Sequence, residues 1–424
     1  MFIMSARGRN MLSRVIVHSD LNHCYAQNEE MLNPELRDVP MVVGGHEELR
    51  HGIILAKNDK AKVYGIKTAE TLRDALKKCP ELVVVPPHYE DYKYYTERVK
   101  NIYREYTDQV ESYGLDEAWI DLTHSQRLFG DGVELARVIQ KRIAEELGLT
   151  VSMGVSYNKI FAKLGSDLDK KQGFVVIDEN NYQEKIFDLP VEDLFYVGPA
   201  TAYKLHRIGL HTIGALANAH YYDIVERFGK HGALIWCFAN GLEEGEVHLS
   251  DYQAEPKSIG NGVTAVHDLR SYEETKLVFR VLSESIASRL KDANMKAYVI
   301  SIGLRDNKLA WFTRQRKIFE ATNIADEILA VAMSLLKENY NFKMPLRSVS
   351  ISASKLINDS QVVQLSLLND EEKRQNNKQL DLTIDKIRDK FGFEKVKRLS
   401  MLLDNDLTNF NPKADHTIHP EGYI

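Results

Sequence analysis

The stretch ESYGLDEAWIDLT, residues 111–123, sets two adjacent carboxylates, Asp116 and Glu117, between short apolar strand-like runs. A third carboxylate, Asp20, ends another apolar run, Val15-Ile16-Val17. Carboxylates and carbonyls are the ligands of hard divalent cations, and paired cations serve phosphoryl and nucleotidyl transfer. Successive strand residues point to opposite faces. Asp116 and Glu117 therefore converge only near a turn or a strong twist, for which Gly114 supplies the backbone freedom. The competing reading is a solvated surface hairpin with unrelated charges.

Working outward, the flanking pattern is regular. Residues 89–106 read as a long helix, 109–113 and 118–122 as strands. Asp131 caps a helix with the apolar stripe Val133, Ala136, Ile139, Ile143 and Leu147, closed by Gly148. Val151, Met153 and Val155 alternate as a strand. With the strand that ends at Asp20, the order is β-α-β-β-α-β, the ferredoxin-like pattern, carrying an insertion after its first strand. In the insertion, 41–43, 53–55 and 82–85 read as strands, and 57–64 and 69–78 as small helices.

Residues 195–219 read as helix–tight turn–helix with Gly198 and Gly209 as pivots. Turn amides of such hairpins bind phosphates without reading sequence. The polar, acidic stretch 243–252 reads as a linker, and 257–354 as an independent α+β domain. Beyond Ser360 come QLSLL (364–368), a helix over 380–391 and a polar tail, mobile from Asn405.

The 424 residues suffice for two to four domains. With 44% hydrophobic and 27% charged residues the composition is that of a core-forming globular chain. Net charge is −6, so any polyanion must be held by local basic surface. Residues 255–360 supply one, with 16 Lys/Arg against 12 Asp/Glu, a net of +4. Three scattered cysteines, Cys24, Cys79 and Cys237, give neither zinc spacing nor a disulfide framework, which suits a reducing cytoplasm. No apolar run is long enough to span a membrane.

Two lysine groups flank the carboxylates in sequence. Lys159, Lys163 and Lys170 lie around a helix that opens at Asn158 directly after a strand, a place where anions bind. Lys57, Lys60 and Lys62 sit on the insertion. The competing reading of both is a solvated face. Arg314, Arg316 and Lys317, beside Trp311 and Phe312, are read equally as a charged strand edge or as phosphate contacts. Asn22 is equally a turn residue or a ligand. His18, His23 and Cys24 lack ligand spacing and read as structural. Tyr25 reads as a core aromatic.

Taken together, HSDLNHCYAQNEE (18–30), SYGLDEAWIDLT (112–123) and VSMGVSYNKIFAKLGSDLDKKQG (151–173) resemble, in order, the motifs of the Y-family translesion DNA polymerases of the bacterial DNA polymerase IV type. RFGKHGALIW and KSIGNGVT resemble later stretches, so the likeness runs from about Arg14 to Leu368. It implies a catalytic palm (14–24 and 88–177), inserted fingers (25–87), a helix-hairpin-helix thumb (178–248), a linker (249–254), a DNA-binding little finger (255–360) and a tail (361–424), with 1–13 as an extension. It implies that Asp20 and Asp116 bridge two Mg²⁺ ions, with Mn²⁺ able to substitute, and that Glu117 and the Leu21 carbonyl each hold one. Tyr25 falls at the steric gate that excludes ribonucleotides. Lys62, Lys170, Asn58, His23 and Cys24 would meet the triphosphate, and Gly198, Gly209, Lys204, Arg314, Arg316 and Lys317 the primer–template. Gln364, Leu365, Leu367 and Leu368 resemble a sliding-clamp peptide. The implied protein is a monomeric, nucleoid-associated cytoplasmic enzyme of low fidelity.

This chain departs from the family at 59–62, where Asp59-Lys60-Ala61-Lys62 stands for a common YEAR, so Lys62 keeps a charge without the bidentate fork. Asn22 replaces a common Asp, Gly114 a common Ser, and Gly198-Pro199-Ala200 a Gly-x-Gly. A DNA-bound scaffold with decayed fingers and a nucleotide cyclase on a ferredoxin-like palm are the rival readings.

Overall fold

Strand β1 (Ile16–Leu21) is buried over its whole length, and everything at the carboxylates is built around it. The computed structural model describes residues 14–45, 52–171, 173–361 and 371–414. They fall into two units, one running to Tyr252 and one from Gln253.

In the first unit β1 leads into α1 (Cys24–Leu32) and then the inserted module: β2 (Met41–Gly44), β3 (Ile54–Lys57), α2 (Asp59–Val63), α3 (Leu72–Lys78) and β4 (Val83–Val85). Lys57 closes a strand here; the helix expected from 57 begins only at Asp59. The chain returns through α4 (Tyr89–Arg104), β5 (Val110–Tyr113), β6 (Glu117–Asp121), α5 (Gln126–Phe129), α6 (Gly132–Leu147), β7 (Val151–Ser156), α7 (Lys159–Leu168) and β8 (Phe174–Ile177). The sheet order is β5-β6-β1-β7-β8. Its first four strands have the antiparallel ferredoxin-like order. β8 is an added fifth strand, parallel to β7. The sequence reading did not separate it, because four apolar-leaning residues carry no period.

Alternation assigns the two faces. Val15, Val17, Ile120, Val151 and Val155 pack with Val99, Ile102 and Tyr103 of α4 and with Ile139 and Ile143 of α6. α6 is capped as its sequence implies: Asp131 accepts from the amides of Val133 and Glu134, and Gly148 closes it with φ 66°. On the opposite face lie Ile16 and Trp119, packed with Ala162 of α7. That packing needs Gly154. A Cβ there would lie 1.9 Å from the Ala162 carbonyl oxygen and 2.5 Å from the Ser166 amide, so α7 rests its backbone directly on β7.

Helices α8 (Tyr182–Ile186), α9 (Pro199–His206), α10 (Ile213–Ala217) and α11 (Tyr221–Ala239) build a separate core against Ile160, Phe161 and Leu164 of α7. Residues 243–248 are not a linker. Val247 is buried with Ile16 and Trp119, Glu243 accepts from the Lys159 amide at 3.0 Å, and Glu111 accepts from the His248 amide at 2.9 Å. The apolar valine and two fixed carboxylates outweigh the polar composition that suggested free chain.

The second unit is a four-stranded antiparallel sheet, order β11-β10-β12-β9, from β9 (Ser258–Leu269), β10 (Met295–Asp306), β11 (Trp311–Thr322) and β12 (Leu346–Asn358). Helices α12 (Tyr272–Asp292) and α13 (Ala325–Asn339) pack their apolar stripes on it through Phe279, Leu282, Ile286, Ile328 and Leu336. The expectation of a mobile tail from Asn405 is corrected for residues 405–414; residues 415–424 lie outside the described residues. α14 (Glu371–Phe391) and α15 (Asn405–Thr408) are docked, with Leu407 and Thr408 buried. Arg374 binds Glu327 at 2.6 Å and Glu320 at 2.8 Å, and Arg398 binds Glu284 and Asp381, each at 2.8 Å. Leu407 joins the apolar core, but the pairs that fasten Arg374 and Arg398 are ionic, and a hydropathy reading passes over those. Among the described residues no helix is long and apolar enough to cross a membrane.

Because Gly154 meets backbone and not a flexible side chain, Gly154→Ala is expected to destabilise the first unit by about 3 kcal/mol or more. Thermal unfolding followed by circular dichroism checks this; an unchanged midpoint would mean that α7 does not need its close seat.

Candidate active site

Cross-strand register brings the acids together. Asp20 pairs with Glu117 across β1 and β6 and with Ser152 across β1 and β7. Asp116 sits in the turn before β6, where Gly114 has φ +71°, and its carbonyl accepts from the Leu21 amide at 3.1 Å. Gly114 thus supplies the turn that lets neighbouring carboxylates converge. Its own carbonyl is approached at 3.4 Å by the ammonium of Lys100, a buried lysine of α4.

The three acids stand in unequal fields. Burial, then the charges of Asp20 and Glu117, push the Asp116 carboxyl up to about 6. Burial also raises Asp20, although Lys170 opposes it. Burial presses upward on Glu117 as well, but His18 and Lys163 outweigh it and hold that carboxyl at about 2. Lys170 donates to Asp20 Oδ2 at 2.9 Å, and Lys163 is bonded to Glu117 Oε2. Among the described residues, no three His, Cys, Asp or Glu are grouped as ligands of a single ion; ammonium groups hold Asp20 and Glu117 instead. The donor set nevertheless fits hard divalent cations. Carboxyls raised by burial and by neighbouring acids, as Asp116 and Asp20 are, are what such a charge relieves.

Beside Asp116 opens a cavity of about 350 Å³, lined by His23, Cys24, Tyr25, Leu55, Ala56, Lys57, Lys62 and Thr68 together with Asp116. Tyr25 is not simply a core aromatic. Its ring reaches this cavity, stacked on Tyr92 at 4.6 Å and 12° and set edge-on to Tyr89 at 5.8 Å. His23, just before α1, has φ 37°, a left-handed backbone that a non-glycine residue adopts under strain. Lys57 and Lys62 make the far wall positive, and burial, then Lys62, push the Lys57 ammonium below its ordinary value. Lys62 is loosely paired with Asp59 at 4.0 Å. Lys60 turns elsewhere, donating to the Asp38 carbonyl at 2.8 Å.

Three polar residues read toward ligands are engaged within the chain. Asn58 is buried and fully engaged: its side chain accepts from the amides of Ala61 and Met41 and donates to Glu30, Leu36 and Val39. It caps α2 and ties the inserted module together, so its side chain is already engaged within the chain. Lys159 is buried against Glu111 at 2.7 Å and lies over the Trp119 ring at 4.9 Å. The anion expected at the start of α7 is the chain's own Glu243. Asn22 is held by Thr150 at 3.1 Å and Ser152 at 2.8 Å and fastens strand ends. Conversely, His18, Lys100 and Thr68 were not picked out. A lysine on the buried side of an amphipathic helix was the available signal for Lys100.

Elsewhere in the first unit, Gly198 caps α9 and Gly209 turns with φ +82° before α10. Lys204 lies in the last turn of α9. In the second unit the β11 cations divide by alternation. Arg314 and Arg316 reach α13, at Asn339 (3.1 Å) and Ser334 (3.0 Å), and Arg316 also pairs with Glu338. Lys317 is exposed and on the other face of its strand. Gln364, Leu365, Leu367 and Leu368 lie outside the described residues.

Residues 19–167 match the impB/mucB/samB family, and residues 256–367 its C-terminal domain. The chain belongs to this family, that of the Y-family DNA polymerases. It is 44% identical over 396 residues to a DNA polymerase IV of Acetivibrio thermocellus, covering 93% of this chain and 99% of that one. It is 33% identical over 399 residues to DNA polymerase IV 2 of Bacillus subtilis, covering 92% and 95%. A solved Y-family polymerase chimera, Dbh-Dpo4(243-245)-Dbh, shares the fold, with TM-score 0.71 and 24% identity over 81% of this chain and 99% of its own. For this Y-family chain the mixed α+β, multidomain architecture read from sequence is therefore the observed one.

Asn58→Ala leaves the Met41 amide and the Leu36 and Val39 carbonyls without their partner. It is expected to lower stability by about 2 kcal/mol or more, read from the urea midpoint, with KM for the incoming nucleotide unchanged in protein that remains folded. A raised KM at unchanged stability would restore Asn58 as a ligand.

Proposed function

We infer that this chain is a template-directed DNA polymerase of the translesion type, extending a primer by nucleotidyl transfer. One observation carries the reading: Asp20, Asp116 and Glu117 gathered on neighbouring strands of a ferredoxin-like sheet, beside a lysine-walled cavity, in a Y-family chain. Family membership at this coverage does not favour a cyclase.

The polymerases of this family use divalent metal ions; here Asp20, Asp116, Glu117 and the Leu21 carbonyl would hold two, Mg²⁺ or in its place Mn²⁺. Bound there, they would supply a lowered pKa for the primer hydroxyl and positive charge against the departing pyrophosphate. The chain's own groups do the rest. Lys57 and Lys62 present positive charge to a triphosphate lying in the cavity, and Lys170, half exposed beside Asp20, is in reach of the same anion. His23 and Cys24 face it from the start of α1. The Tyr25 ring, fixed by its stack on Tyr92, lies under the sugar and refuses a 2′-hydroxyl. Asp59 holds Lys62 only loosely, at 4.0 Å, so Lys62 is able to turn to an incoming phosphate.

Residues 14–24 and 88–177 act as palm, 25–87 as fingers, 178–248 as thumb and 255–360 as little finger. The α9–α10 hairpin, through Gly198, Gly209 and Lys204, meets backbone phosphates, as does Lys317, with Arg314 and Arg316 partly spent on α13. Gln364 to Leu368 engage a sliding clamp, and the enzyme works as a cytoplasmic, nucleoid-associated monomer.

Primer extension with Mg²⁺ and four deoxynucleotides, on intact and abasic templates, tests this. Wild type is expected to extend both, and the D116A/E117A variant neither while still binding primer–template. DNA binding without extension by wild type would return the scaffold reading. Tyr25→Ala is expected to admit ribonucleotides, seen as a large fall in the ratio of deoxy to ribo kcat/KM, with Tyr25→Phe close to wild type. Unchanged sugar selection in the alanine variant removes the gate from Tyr25.

A further inference from the structure

His18 has no role in the reading above, yet its ring stands between the catalytic carboxylates and α7. It is fully buried on the same face of β1 as Asp20. Trp119, its cross-strand partner, sets the ring edge-on at 5.1 Å. Nδ1 is 2.7 Å from Ser166 Oγ. Nε2 is 3.2 Å from Glu117 Oε2, close but off-axis, and has no other hydrogen-bond partner. Ser166 is immovable, because α7 is seated on Gly154 at that point.

We propose that His18 and Ser166 are positioning residues for Glu117: the Ser166 hydroxyl donates to Nδ1, the ring proton is thereby kept on Nε2, and Nε2–H donates to Glu117 Oε2. The Ser166 hydroxyl has one proton and two acceptors, Nδ1 and the Lys163 carbonyl at 2.8 Å. Giving it to Lys163 makes Nδ1 the donor and, in a neutral ring, sets a bare Nε2 against a carboxylate; giving it to Nδ1 forgoes the bond to the Lys163 carbonyl but puts Nε2–H against Glu117, and facing a buried carboxylate with a donor is the larger gain. Lys163 and His18 both hold Oε2, which assigns Oε1 to the cation. Groups that orient a ligand this way govern metal affinity nearly as strongly as the ligand itself.

The proposal rests on Glu117 being a metal ligand, and its test separates the two ideas. Mn²⁺ binding to the full-length protein is measured by electron paramagnetic resonance for wild type, E117A, H18L, H18Q and S166A, with urea midpoints alongside. E117A is expected to lose affinity. H18L should lose about 10- to 100-fold, S166A less, and H18Q should recover part of the loss, since its amide N–H reaches the same oxygen. A packing role alone would not favour glutamine over leucine in a buried site. If H18L does not fold, S166A and H18Q carry the test. Wild-type Mn²⁺ affinity in folded H18L, or in both S166A and H18Q, with E117A impaired, overturns the positioning role. Wild-type affinity in E117A overturns the metal reading beneath it.

Discussion

The seat of α7 on β7 is the contact from which the site follows. A helix lies this near a strand only where both backbones are bare, and Gly154 and Gly165 make them so: a Cβ on Gly165 would come within 3.1 Å of the Gly154 Cα. From that seat α7 delivers Lys163 to Glu117 and Ser166 to His18, and the loop after it delivers Lys170 to Asp20. Helix and sheet here are not separately placed parts. Moving α7 by the width of one methyl group would shift the lysines bonded to Asp20 and Glu117.

How far the sequence was legible depended on whether a residue's role is local or tertiary. Asp131 and Gly148 end α6 through bonds to their own neighbours, so their chemistry was visible without a fold. The ferredoxin-like order followed from periodicity, because strands that bury one face must alternate. β8 escaped because a short apolar run has no phase. Lys159 is polar and next to a helix start, which suits an anion, and Asn58 was read toward a triphosphate by resemblance; only the tertiary structure reveals that Glu243, Glu111 and the module's own carbonyls already engage them.

The carboxylate cluster itself was legible, while its electrostatics were not. Adjacent acids in sequence say nothing about which one is relieved. The split between Asp116 at about 6 and Glu117 at about 2 arises from His18 of β1 and Lys163 of α7, which reach Glu117 and not the turn that carries Asp116. The docked chain after Glu371 was hidden for a related reason: arginine–carboxylate pairs fasten it, and such pairs leave no hydrophobic signature.

The lysines on Asp20 and Glu117 give the carboxylate site its own counter-ions. Three acids gathered at the partly dry ends of central strands repel one another, and the ammonium groups of Lys163 and Lys170 offset part of that repulsion from within the chain. A divalent cation loaded there would compete with charge already resident, most directly with Lys170 on Asp20, while Lys163 keeps its hold on one oxygen of Glu117. A lysine released in that exchange would stay tethered to the chain, free to meet the next anion.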